Sequence, residues 1–297
     1  MKTVIITGGN SGLGFQTALN IARLDEWRVV LACRNTEKGE AAAAKIIEVT
    51  GNQNVESRHL DLTSFDSVRA FAQQVKGGDH LPLNALIANA GIGSFDSSVH
   101  AEGMYPIFVT NHLGHFLLTA LLLGSMAEDG RVISVSSDMH LSPMGEIGWP
   151  GVDEISSTSS ALMSNHLNSY CLSKLCNIYF IRQLASRLKE QGLGIIANNF
   201  NPGFMPETNL SPSTPEKVRD VHLKRPERWG SFVRSPQALA QLVTDEEFGV
   251  LSGFFYDRSV NVVRTSELSY NDSNAYELWN RSVELVELLP EETILKL

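Results

Sequence analysis

The chain has 297 residues, 43% of them hydrophobic and 19% charged, and a formal net charge of -9. That length can bury a large core, and that composition belongs to a soluble globular chain rather than a disordered or fibrous one. The acidic balance argues against nucleic acid as a partner, since phosphate contacts need a basic surface, but leaves room for a local basic spot facing one small anion.

Three cysteines, Cys33, Cys171 and Cys176, make no paired framework and read as free thiols in a reducing compartment. Met1 leads straight into an apolar strand, and no uninterrupted apolar run reaches bilayer length. The expectation is a cytoplasmic protein with no transmembrane segment.

Val4-Ile5-Ile6 predicts a short strand buried on both faces. Thr7-Gly8-Gly9-Asn10-Ser11-Gly12-Leu13-Gly14 follows, and then Ala18, Leu19, Ala22 and Leu24 recur at helical spacing. Strand, glycine turn and helix together cradle a phosphate, because glycines admit close approach and the first N–H groups of the helix lack intrahelical partners. Gly8, Asn10, Ser11, Gly12, Leu13 and Gly14 are therefore candidate cofactor contacts, although the G-x-x-x-G-x-G spacing differs from G-x-G-x-x-G. The next strand, Arg28–Cys33, ends at Arg34, with Lys38 one helical turn further on. A basic residue there accommodates a 2'-phosphate, so NADP (NADPH) is favoured over NAD. Two solvated cations at a helix start would read the same way.

Glu40 to Val49 predicts a helix, and Val55 to Leu60 a third strand ending at Asp61 and Leu62. Asp61 either accepts from an adenine amine or caps the helix beginning near Ser64. After a helix over Ser67 to Val75, the strand Leu83–Ala88 closes with Asn89-Ala90-Gly91, small enough for a cofactor to lie against backbone. This strand-helix rhythm is that of a parallel, doubly wound sheet.

A long apolar helix is expected from Thr110 toward Met126, with Asn111 either bonding backbone or orienting a water. His112 and His115 read as satisfied or surface histidines, since no further ligand set converges with them, and Gly114 as a point of close packing. The strand Arg131–Val135 ends at Ser136-Ser137, where Ser137 either holds a substrate oxygen or caps a turn. An irregular excursion near 138–168, containing Pro143, Gly145, Trp149 and Pro150, lies beside that position. Met139, Met144, Trp149, Phe204 and Met205 read equally as an apolar substrate wall or as packing.

Tyr170 and Lys174 stand four apart on a helix that runs on through Leu188, so they share a face. An ammonium beside a phenol is expected to lower the phenol's pKa and let it exchange a proton with a carbonyl or alcohol oxygen. The strand Gly194–Phe200 leads to Asn201-Pro202-Gly203-Phe204, and the turn through Thr208 suits passage over a cofactor. Residues near 204–235 suit a lid. A helix over Pro236–Leu242, a strand over Gly253–Tyr256 and a helix over Leu278–Leu289 complete one domain, 1–297.

The ordered set Thr7 to Gly14, Asn89-Ala90-Gly91, Asn111, Ser137, Tyr170-x-x-x-Lys174 and Pro202-Gly203 resembles the short-chain dehydrogenase/reductase family over nearly the whole chain. The resemblance implies a single-domain α/β Rossmann fold with a doubly wound sheet of about seven strands and helices on both faces. It implies that Tyr170 is general acid/base, Lys174 tunes it and holds the nicotinamide ribose, Ser137 holds the substrate oxygen, and Asn111 supports a relay water. Leu31-Ala32-Cys33-Arg34-Asn35, Thr110 to Leu118 and Ser173 to Asn177 are similar to the branch containing light-dependent protochlorophyllide oxidoreductase, retinol dehydrogenases and WW-domain oxidoreductases.

Phe204 stands where the light-driven enzyme has a cysteine, and Ser137 where it commonly has threonine. The expected activity is hydride transfer between NADP(H) and an apolar carbonyl or alcohol. Light-driven reduction of a tetrapyrrole C=C bond and an NADP-binding scaffold are the alternatives. Pigment binding with illumination-dependent turnover marks the first, and nucleotide binding without turnover the second. Monomer and homo-oligomer are both open.

Overall fold

The apolar runs around Ile5, Val30, Leu86 and Val132 form strands because each is covered on both faces, and all four residues are fully buried. The computed structural model describes residues 1–78, 81–95, 101–142, 147–206, 208, 210 and 228–296. Seven strands form one sheet: β1 (Lys2–Thr7), β2 (Trp27–Cys33), β3 (Val55–His59), β4 (Leu83–Ala88), β5 (Met126–Val135), β6 (Ile196–Phe200) and β7 (Phe255–Tyr256). Their order is β3-β2-β1-β4-β5-β6-β7, and every pairing is parallel.

Alternate strand residues feed two separate cores. Val4 and Ile6 pack with the helices Gly12–Ala22, Thr36–Thr50 and Arg234–Thr244, whereas Ile5 packs with Phe65–Lys76, Pro106–Ser125 and His166–Glu190. The helix Asp272–Leu285 adds a second layer over that last helix. This is the single-domain, doubly wound fold expected.

Element boundaries differ from expectation where polar residues start or extend an element. The second helix begins at Thr36 because Asn35 caps it, accepting from the Lys38 N–H at 2.8 Å. Ser64, not Asp61, caps the third, with its side chain accepting from the Ser67 N–H. The last helix begins at Asp272 behind the Asn271 cap, six residues before its apolar stripe becomes visible. Leu24 lies beyond its helix, which ends at Ala22. β5 starts at Met126 because main-chain pairing with Leu83 extends it through polar residues that read as loop.

Helix also starts earlier than expected at Pro106, and a π-helical turn spans Val109–Leu113. The run Pro106–Ser125 is long and apolar enough to cross a membrane, but 94% of its most apolar 18-residue window is buried inside the protein. It is a core helix.

The excursion over 138–168 contains a 3-10 turn, Asp138–Leu141, and a short helix, Val152–Ser156. Pro143, Met144 and Gly145 lie outside the described residues, as do 207, 209 and 211–227 of the expected lid. Where the chain is described again, Arg228 to Gly230 runs beside Phe204. The Phe204 N–H donates to the Arg228 carbonyl, and the Gly230 N–H to the Phe204 carbonyl, both at 2.8 Å.

Gly114 allows the Pro106–Ser125 helix to press against the end of β3. A Cβ there would lie 2.4 Å from the Leu62 carbonyl oxygen. Gly114→Ala is expected to cost about 1–3 kcal/mol by overpacking, outweighing alanine's better helix propensity. Urea denaturation of the two chains measures it, and an unchanged or raised midpoint would contradict this packing.

Candidate active site

The strand order reverses between β1 and β4, so the loops leaving their carboxyl ends diverge and open a crevice. A cavity of about 660 Å³ occupies it, lined from successive strand ends and from the start of the His166–Glu190 helix. Its first side is the glycine turn, where Gly8, Asn10, Ser11, Gly12 and Leu13 contact the space. Gly8 and Gly12 have φ of 65° and 54°, in the left-handed region that favours glycine. Ser11 begins the helix without bonding its side chain back to it, so the first N–H groups face the cavity unsatisfied by a cap. Gly14 lies behind the wall, where a Cβ would come 2.5 Å from Asn89 Nδ2.

The floor is Asn89, Ala90 and Gly91 after β4. Thr7 holds it in place: its hydroxyl accepts from the N–H groups of Asn89 and Ala90, both at 2.9 Å. Asn89 returns its amide to the Thr7 carbonyl at 2.8 Å. The roof is Pro202, Gly203, Phe204 and Thr208. It is fastened by the Ser235 hydroxyl donating to the Pro202 carbonyl at 2.7 Å.

On the far side stand Ser137, Tyr170 and Lys174, all in the cavity wall. Lys174 is 3% exposed and donates from Nζ to the Val135 carbonyl at 2.9 Å, while sitting 5.4 Å from the Tyr170 ring centroid. Burial lowers its pKa from 10.5 to about 8. Tyr170 is half-buried, and burial of its phenol raises its pKa. Cys171 adds to the rise, and a hydrogen bond from Ser137 works against it. The direction is opposite to the lowering expected from Lys174, whose ammonium is turned toward the Val135 carbonyl. Ser137 also accepts from the Met139 N–H at 3.1 Å, so it caps a turn and lines the cavity together.

Asn111 does not line the cavity but backs it. Its Oδ1 accepts from the Ile92 N–H at 2.8 Å, and its Nδ2 donates to the Ile92 carbonyl at 3.0 Å and to the Ser173 hydroxyl at 2.9 Å. The side chain bonds backbone, one of the two readings offered by sequence. His112 and His115 are buried and bond Ser282 and Thr7 respectively.

Arg34 and Lys38 are exposed at the end of β2, outside the cavity lining; Asp61 and Leu62, beyond the end of β3, also lie outside that lining. Asp61 spends Oδ1 on the Thr63 N–H at 2.9 Å and the Thr63 hydroxyl at 2.6 Å, and Leu62 is buried in the core. Met139, Phe204 and Met205 do line the cavity. Trp149 does not: its indole N–H donates to Glu277 at 2.7 Å and its ring meets Tyr179 edge-on.

Sequence reasoning missed Ser94, in the loop after β4, and Asn165, His166 and Leu167, which also line the cavity. The last three stand just ahead of Tyr170 at the start of the same helix, which was the available signal.

A glycine-rich turn thus faces a buried lysine, a tyrosine and a serine across one cavity. A sequence model of the short chain dehydrogenase family matches residues 2–149. Retinol dehydrogenase 11 of Homo sapiens is 36% identical over 97% of this chain and 86% of its own length. Short-chain dehydrogenase TIC 32 A, chloroplastic, of Brassica napus is 29% identical over 97% and 89%. The crystal structure of an uncharacterised protein from Mycobacterium Paratuberculosis superposes with a TM-score of 0.73 and 31% identity over 97% of this chain and 94% of that one. The chain belongs to the short-chain dehydrogenase/reductase family of oxidoreductases, and the cradle fits that family's nicotinamide cofactor.

Burial lowers the pKa of His112 from 6.5 to about 3 and that of His115 from 6.5 to about 4. Both are neutral in the folded protein but protonate in the unfolded chain near pH 6.5. Their contribution is fully present above that pH and is lost progressively as pH falls from there through 4 and 3, where the loss is complete. Near pH 5 the unfolded chain therefore holds almost two more protons on these residues, a slope of about 2.7 kcal/mol per pH unit. Urea unfolding between pH 7 and pH 4.5 measures it; a flat profile would show that neither histidine stays neutral.

Proposed function

We propose that this protein is an NADP(H)-dependent oxidoreductase transferring hydride to or from the carbonyl or alcohol carbon of an apolar substrate. One observation carries the reading: Ser137, Tyr170 and Lys174 share a single cavity with the glycine cradle. When bound, the nicotinamide nucleotide supplies or accepts the hydride. In reduction, the Ser137 hydroxyl donates to the oxygen as negative charge builds there, and Tyr170 delivers its proton to that oxygen. Burial favours the protonated phenol, which is the form this step consumes. The Lys174 ammonium then stabilises the phenolate left behind.

Asn111 holds the Ile92 backbone beside this group and so keeps the floor in register. The 2'-phosphate preference rests on Arg34 and Lys38, exposed together at the end of β2.

Met139, Leu167, Phe204 and Met205 face the substrate side, which suits an apolar molecule. The name of the 36% identical relative, a retinol dehydrogenase, supports an extended apolar alcohol or aldehyde as the first substrate to try. Phe204, in the wall where a light-driven relative carries a cysteine, favours dark chemistry over pigment photoreduction. Free, buried thiols at Cys33, Cys171 and Cys176 support a reducing compartment such as the cytoplasm.

NADPH oxidation against a panel of isoprenoid and long-chain aldehydes, run in darkness and under illumination, tests the reading. Tyr170→Phe is expected to keep nucleotide affinity within about threefold and lose at least 100-fold in kcat, within the range assigned to one general acid. Full turnover by that variant would remove the proposed proton donor. Arg34→Ala is expected to weaken NADP binding at least tenfold, about 1.4 kcal/mol, and NAD binding far less. Calorimetric titration with both nucleotides measures it, and equal losses would count against the placement of Arg34.

A further inference from the structure

The proposed chemistry uses the surfaces of the cavity but leaves unexplained a polar chain buried behind it. Thr7 is 0% exposed, Asn111 0% and His115 3%. The Thr7 hydroxyl accepts from two backbone N–H groups, those of Asn89 and Ala90, each at 2.9 Å. Its own proton must therefore go elsewhere. The Ile87 carbonyl is 3.4 Å away, while His115 Nε2 is at 2.8 Å and is the better acceptor. If Nε2 accepts, the remaining imidazole proton is on Nδ1, which faces the Asn111 carbonyl at 3.3 Å. One tautomer satisfies both contacts.

The chain continues on either side. The Asn111 amide holds the Ile92 backbone and the Ser173 hydroxyl, and Ser173 donates to the Tyr170 carbonyl at 2.8 Å. The Asn177 amide, oriented with its nitrogen toward acceptors, donates to the same Asn111 carbonyl at 2.9 Å. Asn111 lies in the π-helical turn, and His115 lies one turn further along the same helix. The imidazole is thus the link between β1 with its glycine turn and the turn that touches the catalytic helix.

We infer that His115 is a positioning residue: its imidazole, held between the Thr7 hydroxyl and the Asn111 carbonyl, keeps the nucleotide-binding turns in register with the catalytic helix. The inference rests on the reading of the cavity as a nucleotide-dependent active site. Burial keeps the ring neutral over the working pH range, as an accepting Nε2 requires. A buried histidine that merely satisfied its own polarity would affect stability alone. A positioning histidine moves nucleotide affinity and turnover at a temperature where the variant is folded.

The experiment compares wild type with His115→Phe, which keeps a planar ring and removes both contacts, and His115→Asn, whose amide nitrogen can replace Nδ1 as donor to Asn111. Each is assayed by thermal unfolding, calorimetric NADPH titration without substrate, and steady-state turnover. His115→Phe is expected to weaken NADPH binding five- to tenfold and lower kcat at least tenfold, with KM for the carbonyl substrate changed less than twofold. His115→Asn is expected to regain most of the kcat loss and little of the affinity loss, because it restores the Asn111 contact and not the Thr7 one.

If His115→Phe does not fold, Thr7→Val, which deletes the hydroxyl at nearly constant volume, carries the same affinity expectation. A folded His115→Phe with wild-type NADPH affinity and kcat would overturn the inference, as would a folded Thr7→Val with unchanged affinity. Those results with normal wild-type binding remove this inference alone. A wild-type chain that binds no nicotinamide nucleotide removes the reading of the cavity as well.

Discussion

The structure depends on one topological constraint: seven parallel strands whose order turns back between β1 and β4. Parallel pairing puts every carboxyl end on one side, and the reversal sends neighbouring loops in opposite directions, so a crevice opens where the backbone is most polar. Everything in the candidate site follows from occupying that crevice. The glycine turn after β1 supplies the uncapped start of a helix, the turn after β4 supplies a low floor, the turn after β5 supplies Ser137, and the turn after β6 supplies the roof. The two cores above and below the sheet make those turns rigid without contributing a reacting group.

Burying an ammonium in that position costs free energy unless it is bonded, and the Val135 carbonyl at the end of β5 provides the bond. The same removal of water that depresses the Lys174 pKa raises that of Tyr170. The two shifts oppose the simple picture of a lysine that merely acidifies its neighbour. They describe instead a phenol kept protonated and a cation placed to matter most when that proton leaves, since a charge interaction grows as the surrounding dielectric falls. On the proposed mechanism, reduction and oxidation differ in which protonation state must be populated first, not in which residues take part.

Much of this was legible from the order of residues. The apolar runs gave the central strands, and the small or glycine-rich turns at their ends gave the cavity's cradle, floor and roof. Tyr170 and Lys174 could be placed on a common face from helical spacing alone. What was not legible had specific causes. The cap at Asn271 and the polar first turn after it hid six residues of the last helix from a search for apolar periodicity. Asp61 was ambiguous because an adenine contact and a helix cap draw on the same carboxylate, and the turn it makes onto Thr63 was not among the readings. Val135 could not be nominated as the partner of Lys174, since a main-chain carbonyl leaves no mark in sequence. Trp149 read equally as wall or as packing because aromatic residues near a site look alike until their partners are known, and its partner is Glu277.

The helix Pro106–Ser125 joins the apolar core to the site. Composition alone would let it cross a membrane, yet it lies in the interior of the fold. A helix buried on all sides has no need of polar residues, and each one it carries must find a partner or cost stability. Its central turns nonetheless carry Asn111, His112 and His115, and each is fixed to a different element: the loop after β4, the helix Asp272–Leu285, and the end of β1. Apolar packing holds that helix in place over a broad area but is tolerant of small rotations, whereas three directional bonds to three elements are not. Polarity in an otherwise apolar core helix thus marks the segment whose orientation the site requires.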